Sequence, residues 1–211
     1  MQTQKTIYHL IVDKSGSMSD CIENTINGFN EQVNKVLQLE KEYQEQEITI
    51  GLTTFNQEVQ HHYFQSEPAS VKKLDRESYR PQGGTALLDG IGMTINTIEK
   101  EIIQQNAKEN TTVVIVILTD GYENASRSFE VADIRKAISR LEETGKWTFS
   151  FMGATLDAVN VATSMAIKER NSFSFEKNNM NNEVWDKLSN SMGNYMDKKR
   201  KGEKLDDLFS K

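Results

Sequence analysis

The hydrophobic and polar positions of the chain divide it into alternating strand-like and helix-like stretches. Apolar and β-branched residues dominate 6–12, 48–55 and 111–121, and the last of these runs shows no polar alternation. A continuous apolar run is typical of a central strand that is covered on both faces. Between and after these regions, apolar residues also recur at spacings of three and four, which is the period of an amphipathic helix. The pattern therefore predicts strands alternating with helices.

The predicted elements follow the order β-α-β-β-α-β-α-β-α-β-α. A short Asn56-Gln57 turn separates the second and third strands, which indicates a hairpin and hence one antiparallel edge strand. The alternation otherwise predicts a three-layer, doubly wound α/β fold, with helices on both faces of a mostly parallel six-stranded sheet. The predicted strands cover 6–12, 48–55, 59–64, 111–121, 147–153 and 172–175. The predicted helices start near residues 22, 86, 131, 156 and 180.

The organisation predicted from the sequence is a single domain over residues 1–211. We see no internal repeat and no linker rich in proline, glycine or serine that would divide the chain. The predicted core covers about 6–176, and a last helix at about 180–200 carries apolar residues at helical spacing. The tail at 198–211 is basic and then acidic. We interpret it either as a solvated helix end or as a segment that docks on a partner through Leu205, Leu208 and Phe209.

Charge and cysteine content narrow the classes of partner. The 31 acidic residues outnumber the 25 basic ones for a net charge of -6, which disfavours nucleic acid and anionic membranes and favours cations. No window reaches the roughly 18 apolar residues of a membrane span, and the N-terminus has no signal-peptide pattern. Cys21 is the single cysteine, so we interpret it as a structural thiol in a reducing compartment. These features predict a cytoplasmic protein.

Candidate chemistry begins where the first predicted strand ends, in the stretch "DKSGS". Asp13, Ser15 and Ser17 offer oxygen atoms at every second position, on one side of an extended chain. Such a pattern suits a metal, a phosphate, a covalent intermediate or a solvated turn. Serines after a strand commonly do no more than cap a turn or a helix, so the stretch by itself leaves these readings open.

Two further segments bring oxygen atoms to the same edge of the sheet. Asp120, in "LTDG", ends the most apolar strand, and Thr85 follows Gly83 and Gly84 at the start of a helix. In an open α/β sheet, ligands bind outside the carboxyl ends of the strands, where the winding direction reverses. The topology therefore predicts that Asp13, Asp120 and Thr85 meet at one rim.

These three segments resemble the metal-ion-dependent adhesion site of von Willebrand factor type A domains. All five positions of that site are matched in order, and the order of the elements fits from residue 6 to about 176. The resemblance is closest to small stand-alone bacterial members, and it implies the Rossmann-like fold of the family. It also implies that the metal binds a Glu or Asp carboxylate of a protein partner. The implied metal ligands are Asp13, Ser15, Ser17, Thr85 and Asp120.

The chemistry of the matched residues agrees with this resemblance. Mg²⁺ prefers near-octahedral oxygen ligands, and the matched positions carry neither soft nor nitrogen ligands. Two carboxylates only balance a divalent ion, so the metal stays electrophilic toward one more anionic oxygen. We therefore expect a divalent-cation-dependent protein-binding module, with Mg²⁺ as the expected ion and Mn²⁺ or Ca²⁺ as possible substitutes.

Two other classes of function compete with this interpretation. One is a scaffold of the same fold that binds partners without metal. The other is a phosphatase-like or hydrolase-like enzyme using Asp13, but such phosphatases place a second Asp two residues later, where this chain has Ser15. The chain also has no G-x-S-x-G or G-x-x-x-x-G-K-[ST] motif. His9, His61 and His62 are not placed to assist a nucleophile, so no enzymatic activity is expected.

Other polar residues receive structural interpretations. Asp89, Glu123 and Asp157 lie near predicted strand ends or helix starts and are read as helix-start or surface acids, although Glu123 could line the rim beside Asp120. His9 is expected to be packed and hydrogen-bonded inside the first strand. His61 and His62 are adjacent on a strand and should therefore point to opposite faces.

Overall fold

The computed structural model describes residues 4–107, 110–155, 157–203 and 207–209, apart from the side chains of residues 181 and 182. The strands are β1 Gln4–Asp13, β2 Gln46–Phe55, β3 Val59–Ser66, β4 Thr111–Thr119, β5 Trp147–Gly153 and β6 Ser172–Ser174. The α-helices are α1 Ile22–Glu42, α2 Leu87–Gln104, α3 Val131–Glu143, α4 Ala158–Ser164 and α5 Lys187–Arg200. Short 3-10 helices lie at Gly16–Cys21, Pro68–Ser70, Glu169–Asn171 and Lys177–Asn179, and a π-helical segment, Asn181–Asp186, leads into α5.

The six strands form one sheet in the order β3-β2-β1-β4-β5-β6. Strand β3 pairs antiparallel with β2, and the other pairings are parallel. The predicted fold class is thereby confirmed, including the antiparallel edge strand. The winding direction reverses between β1 and β4, whose carboxyl ends lie side by side with Val12 opposite Leu118. This is the crevice where ligands of open α/β sheets bind.

The core lies on both faces of the sheet. Successive residues of β4 alternate between the faces: Val114 and Val116 pack with α1 and α5, whereas Val113 and Ile115 pack with α2, α3 and α4. Because each side chain of β4 enters one of two buried layers, the strand carries apolar residues at consecutive positions. None of the helices in the described part of the chain is long and apolar enough to cross a membrane.

The segment after β6 is anchored to α1. Gly28 lies under the indole ring of Trp185, and a β-carbon at this glycine would fall 2.0 Å from two ring atoms. Trp185 is almost fully buried. The absence of a side chain at Gly28 therefore lets the indole lie directly on the backbone of α1.

The described part of the tail folds back on the protein. Leu208 is buried in the same core layer as α5, and its N–H donates to Asn171 Oδ1 at 2.9 Å. The Phe209 ring meets Phe173 edge-on, with 5.1 Å between centroids. Leu208 is thus part of this chain's own core, which contradicts a segment that offers Leu208 to a partner. Residues 200–203, where α5 ends, are exposed, as a solvated helix end predicts. Leu205 lies outside the described residues.

Strand ends differ from the prediction by a few residues. Strand β1 begins at Gln4 because residues before the apolar run already pair with β2. Strand β4 ends at Thr119 rather than at 121, since the chain turns and the Gly121 N–H approaches Thr119 Oγ1 at 3.2 Å. Asp120 therefore lies just beyond the strand, at the rim of the sheet.

Candidate metal centre

Three loops meet at the carboxyl ends of β1 and β4. Asp13 is the last residue of β1, Ser15 directly precedes the first 3-10 helix, and Ser17 lies in the first turn of that helix. Thr85 lies two residues before α2, and Asp120 follows β4. All five predicted site residues are thus placed at one rim by the tertiary structure.

Backbone hydrogen bonds fix the first two loops relative to each other. The Gly16 N–H donates to the carbonyl of Gly83 at 3.0 Å, and the Gln82 N–H donates to the carbonyl of Lys14 at 2.9 Å. The Thr85 N–H donates to Asn124 Oδ1 at 2.9 Å, which ties the second loop to the third. The three loops therefore form one connected framework.

Asp13 is held by hydrogen bonds at both carboxylate oxygens. Oδ1 accepts from the Ser15 N–H at 2.6 Å, and Oδ2 accepts from the Thr119 hydroxyl at 2.6 Å. The carbonyl of the same residue accepts from the Tyr79 hydroxyl at 2.6 Å. The side chain is 0% exposed, so its orientation is set entirely by protein partners.

Burial is the dominant influence on the Asp13 carboxyl. Burial raises its pKa from 3.8 to about 6, while the hydrogen bonds from Thr119 and Ser15 favour the charged form and the nearby Asp120 raises the pKa further. A buried carboxylate that is close to a second one is stabilised by a cation between them. The electrostatics of the rim therefore favour binding of positive charge.

The serines link Asp120 to the first loop. The Ser17 hydroxyl donates to Asp120 Oδ1 at 2.6 Å, and Ser15 Oγ lies 3.0 Å from Ser17 Oγ. A hydroxyl carries one proton, so with the Ser17 proton directed to Asp120, Ser15 is the donor to Ser17. Ser15 is buried and Ser17 is exposed, which places the solvent-facing side of the cluster at Ser17.

A small space beside Gly121, in the third loop, is bordered by oxygen atoms from the first and second loops. At the point where a β-carbon of this glycine would lie, Thr85 Oγ1 is 3.2 Å away, Ser17 Oγ 3.3 Å and Asp13 Oδ2 3.9 Å. The missing side chain keeps this space open. Thr85, which makes no side-chain bond to the other predicted residues in the structure, is thus brought to the same point as Ser17 and Asp13.

The donor set fits a hard divalent cation. It consists of two carboxylates and three hydroxyls, and Mg²⁺ takes such oxygens at about 2.0 to 2.1 Å. Among the described residues, no three His, Cys, Asp or Glu side chains group as metal ligands, so a site at this rim depends on its hydroxyl oxygens. Neither thiolate nor imidazole contacts the cluster, which disfavours zinc and copper.

The structure adds residues that sequence reasoning missed. Thr119 orients Asp13, and Lys177, on the 3-10 helix after β6, forms an ion pair with Asp120 at 2.5 Å. The Lys177 ammonium also donates to the carbonyl of Ser17 at 2.9 Å. The sequence could have indicated a role for Thr119 at the rim, because this residue directly precedes the "DG" pair. Lys177 had none, because it lies 160 residues after Ser17.

The other acids near the rim hold loops in place. Asp89, in the first turn of α2, accepts from the N–H groups of Ser128 and Phe129. The Glu123 carboxylate accepts from the Leu88 N–H at 3.0 Å and from Ser126. Asp157 accepts from the exposed Tyr122 hydroxyl at 2.9 Å. Glu123 therefore supports the start of α2, as the helix-start interpretation predicts. Asp89 lies at that start, but its carboxylate holds the loop before α3, and Asp157 holds a rim tyrosine.

The histidines lie away from the centre. His9 is buried and its Nε2 lies 2.9 Å from Thr53 Oγ1, which is also 2.9 Å from His61 Nδ1. His62 bonds instead to Thr54, so the adjacent histidines face opposite sides of the sheet, as predicted. Burial lowers the pKa of His9 to about 3 and keeps it neutral.

The single cysteine is inert. Cys21 is buried, and burial raises the pKa of its thiol to about 11, so it remains protonated at neutral pH. This agrees with its interpretation as a structural residue.

Comparison with protein families identifies the class of the chain. The model of the von Willebrand factor type A domain matches residues 9–191, which include all five positions of the predicted site. The chain therefore belongs to the von Willebrand factor type A domain family, and the family inferred from the sequence is confirmed. A comparison with curated protein sequences found no match.

Solved structures agree on the fold. The von Willebrand domain of the pili tip protein Mfa5 from Porphyromonas gingivalis has a TM-score of 0.63 at 13% identity, over 92% of this chain and 96% of that chain. A von Willebrand factor type A protein from Catenulispora acidiphila has a TM-score of 0.57 at 14% identity. The match covers 90% of this chain and 43% of that chain. Manganese-loaded TRAP of Plasmodium vivax has a TM-score of 0.56 at 13% identity, over 86% of this chain and 72% of that chain.

Proposed function

We propose that this protein is a divalent-cation-dependent protein-binding module that holds a partner through a metal at the rim. The observation that carries the proposal is the convergence of oxygen atoms from Asp13, Ser17 and Thr85 on the space beside Gly121. Asp120 joins this cluster through its hydrogen bond with Ser17. The manganese in the similar TRAP structure supports a divalent ion in this fold.

In this proposal, Asp13, Ser15, Ser17, Thr85 and Asp120 hold the ion directly or through water. Mg²⁺ is the proposed ion, since the donors are hard oxygens and Mg²⁺ retains several waters in protein sites. The ion supplies a Lewis-acidic position that an anionic oxygen can occupy. Ser17 lies on the exposed side of the cluster, and this side is where the Glu or Asp carboxylate of a partner would approach.

We propose binding rather than catalysis. The three histidines bond to threonines of the sheet or lie on the edge hairpin, and none contacts Asp13 or the serines of the first loop. A serine nucleophile here would therefore lack a neighbouring imidazole base. The single cysteine is buried and free, which suits a reducing compartment, so the cytoplasm is the proposed location.

Calorimetric titration of the chelator-treated protein with Mg²⁺ and with Mn²⁺ tests the metal site. Wild type should bind one ion, and Asp13→Asn should abolish or strongly weaken binding while leaving the fold intact. Asp157→Asn is the matched control, because it removes a rim carboxylate that bonds to Tyr122 and not to the cluster. Equal binding by wild type and Asp13→Asn would place the metal elsewhere, and no binding by wild type would refute the site.

Partner binding is tested by co-purification from the native host. Proteins retained in Mg²⁺ buffer should be lost in excess chelator, and they should not be retained by Asp13→Asn in either buffer. A partner held equally well by wild type in chelator would support the alternative, a metal-independent scaffold of the same fold.

A further inference from the structure

Lys177 places a positive charge inside the candidate metal centre. Its ammonium lies 2.5 Å from Asp120 Oδ2 and 2.9 Å from the carbonyl oxygen of Ser17. The carboxylate of Asp120 is 0% exposed, whereas the Lys177 side chain is 32% exposed. The lysine therefore approaches the buried acid from the solvent side, which is also the side of Ser17.

The Asp120 carboxylate has both oxygen atoms engaged in this arrangement. Oδ1 accepts the Ser17 hydroxyl, and Oδ2 pairs with the lysine. A divalent cation that binds Asp120, directly or through a water, is attracted by the negative charge of its carboxylate. The ammonium of Lys177 already neutralises that charge. Two cations close together at one carboxylate also repel each other. Lys177 and a metal ion are therefore in competition for Asp120.

We propose that Lys177 is an internal counter-cation that competes with the divalent ion for Asp120 and thereby sets the metal affinity of the centre. This inference rests on the proposed metal site and adds a residue outside the five matched positions. When a metal binds, the ammonium moves away from Oδ2 toward solvent, which its partial exposure permits. In the absence of metal, the lysine compensates the charge of a buried carboxylate that would otherwise be unpaired.

The test compares metal titrations of wild type, Lys177→Met and Lys14→Met. Methionine keeps the unbranched stem of the lysine and removes the charge. Lys14 is the matched control, since it is also near the rim but its ammonium donates to Gln60 Oε1 at 3.1 Å. Lys177→Met should bind Mg²⁺ about tenfold more tightly than wild type, which corresponds to about 1.4 kcal/mol. Lys14→Met should stay within about threefold, the size expected for a partly exposed charge without a direct contact.

The Lys14→Met control separates competition from a general charge effect, and two further measurements check the competition. The ratio of the Lys177→Met and wild-type affinities should be similar for Mg²⁺ and Mn²⁺, because the same ammonium is displaced by either ion. In chelator, Lys177→Met should melt at a lower temperature than wild type, and Mg²⁺ should raise its Tm by more than it raises that of wild type. Lys177→Gln provides a second neutral variant if the methionine variant does not fold.

The outcomes distinguish this inference from the proposed function. If wild type binds metal and both neutral variants bind it equally or more weakly, Lys177 does not compete, and the metal site stands without it. Weaker binding would show that Lys177 positions Asp120 for the ion. If wild type and the variants all fail to bind Mg²⁺ and Mn²⁺, both the metal site and the competition are refuted. If the neutral variants bind metal and wild type does not, the competition is supported, and Lys177 keeps the ion out of the wild-type centre.

Discussion

The hydrogen bond from Thr119 to Asp13 offers the sharpest test of how the centre is organised. Thr119 is buried, and its hydroxyl donates to Asp13 Oδ2 at 2.6 Å. Thr119→Val keeps the branched shape and removes the donor. A hydrogen bond to a charged group contributes about 1.5 to 3 kcal/mol, and loss of a residue that orients a metal ligand lowers affinity about 10- to 100-fold. We therefore expect Thr119→Val to bind Mg²⁺ about 10- to 100-fold more weakly at neutral pH.

The same substitution should change the pH dependence of metal binding. Burial raises the pKa of Asp13 to about 6, and the Thr119 hydrogen bond opposes this by favouring the charged form. Without that bond the pKa rises further, so protons compete with the metal at higher pH. Because only the charged carboxylate binds the ion well, affinity falls as pH falls through the pKa. The deficit of Thr119→Val should thus be larger at pH 6 than at pH 8.

Calorimetry at pH 6, 7 and 8 measures both effects. Thr119→Ser is the control, since it keeps the hydroxyl and should remain within a few-fold of wild type. Circular dichroism and urea unfolding check that each variant is folded. Equal affinities of wild type and Thr119→Val at all three pH values would refute the role of this hydrogen bond.

Three further predictions concern the glycines and a buried lysine. Gly121→Ala should fold but bind Mg²⁺ at least about tenfold more weakly, because its methyl group enters the space between the ligands; Gly193→Ala, which contacts no ligand, should bind normally. Gly28→Ala should destabilise the fold by about 1 to 3 kcal/mol in urea and shift the Trp185 fluorescence, because the indole must move. Burial lowers the pKa of Lys199 from 10.5 to about 8. Between these values the unfolded chain binds more protons at this residue, so the stability of wild type relative to Lys199→Met should rise from pH 8 to 10. The raised pKa of Cys21 acts equally on both proteins and cancels in this difference.

The hydrophobic pattern predicts elements that depend on neighbouring residues better than features that depend on contacts between distant parts of the chain. The strands β1 and β4 follow from local apolar runs, and the helix periods follow from spacings of three and four. Strand limits were less accurate, because pairing between strands and turns such as the one at Gly121 decides where a strand stops. The docking alternative for the tail was wrong for Leu208, because its burial depends on a hydrogen bond with Asn171 and on a core layer shared with α5, which no local pattern records.

The sequence by itself determined the fold class and which oxygen-bearing residues lie at the rim. Alternating periodicity implies a doubly wound sheet, whose topology brings strand ends together, so oxygen-bearing residues after β1, before α2 and after β4 had to meet. Only the tertiary structure decided how these atoms are oriented and what competes for them. Thr119 and Lys177 contact Asp13 and Asp120 through packing between distant segments. Such contacts depend on side-chain direction in three dimensions, which spacing along the chain does not specify.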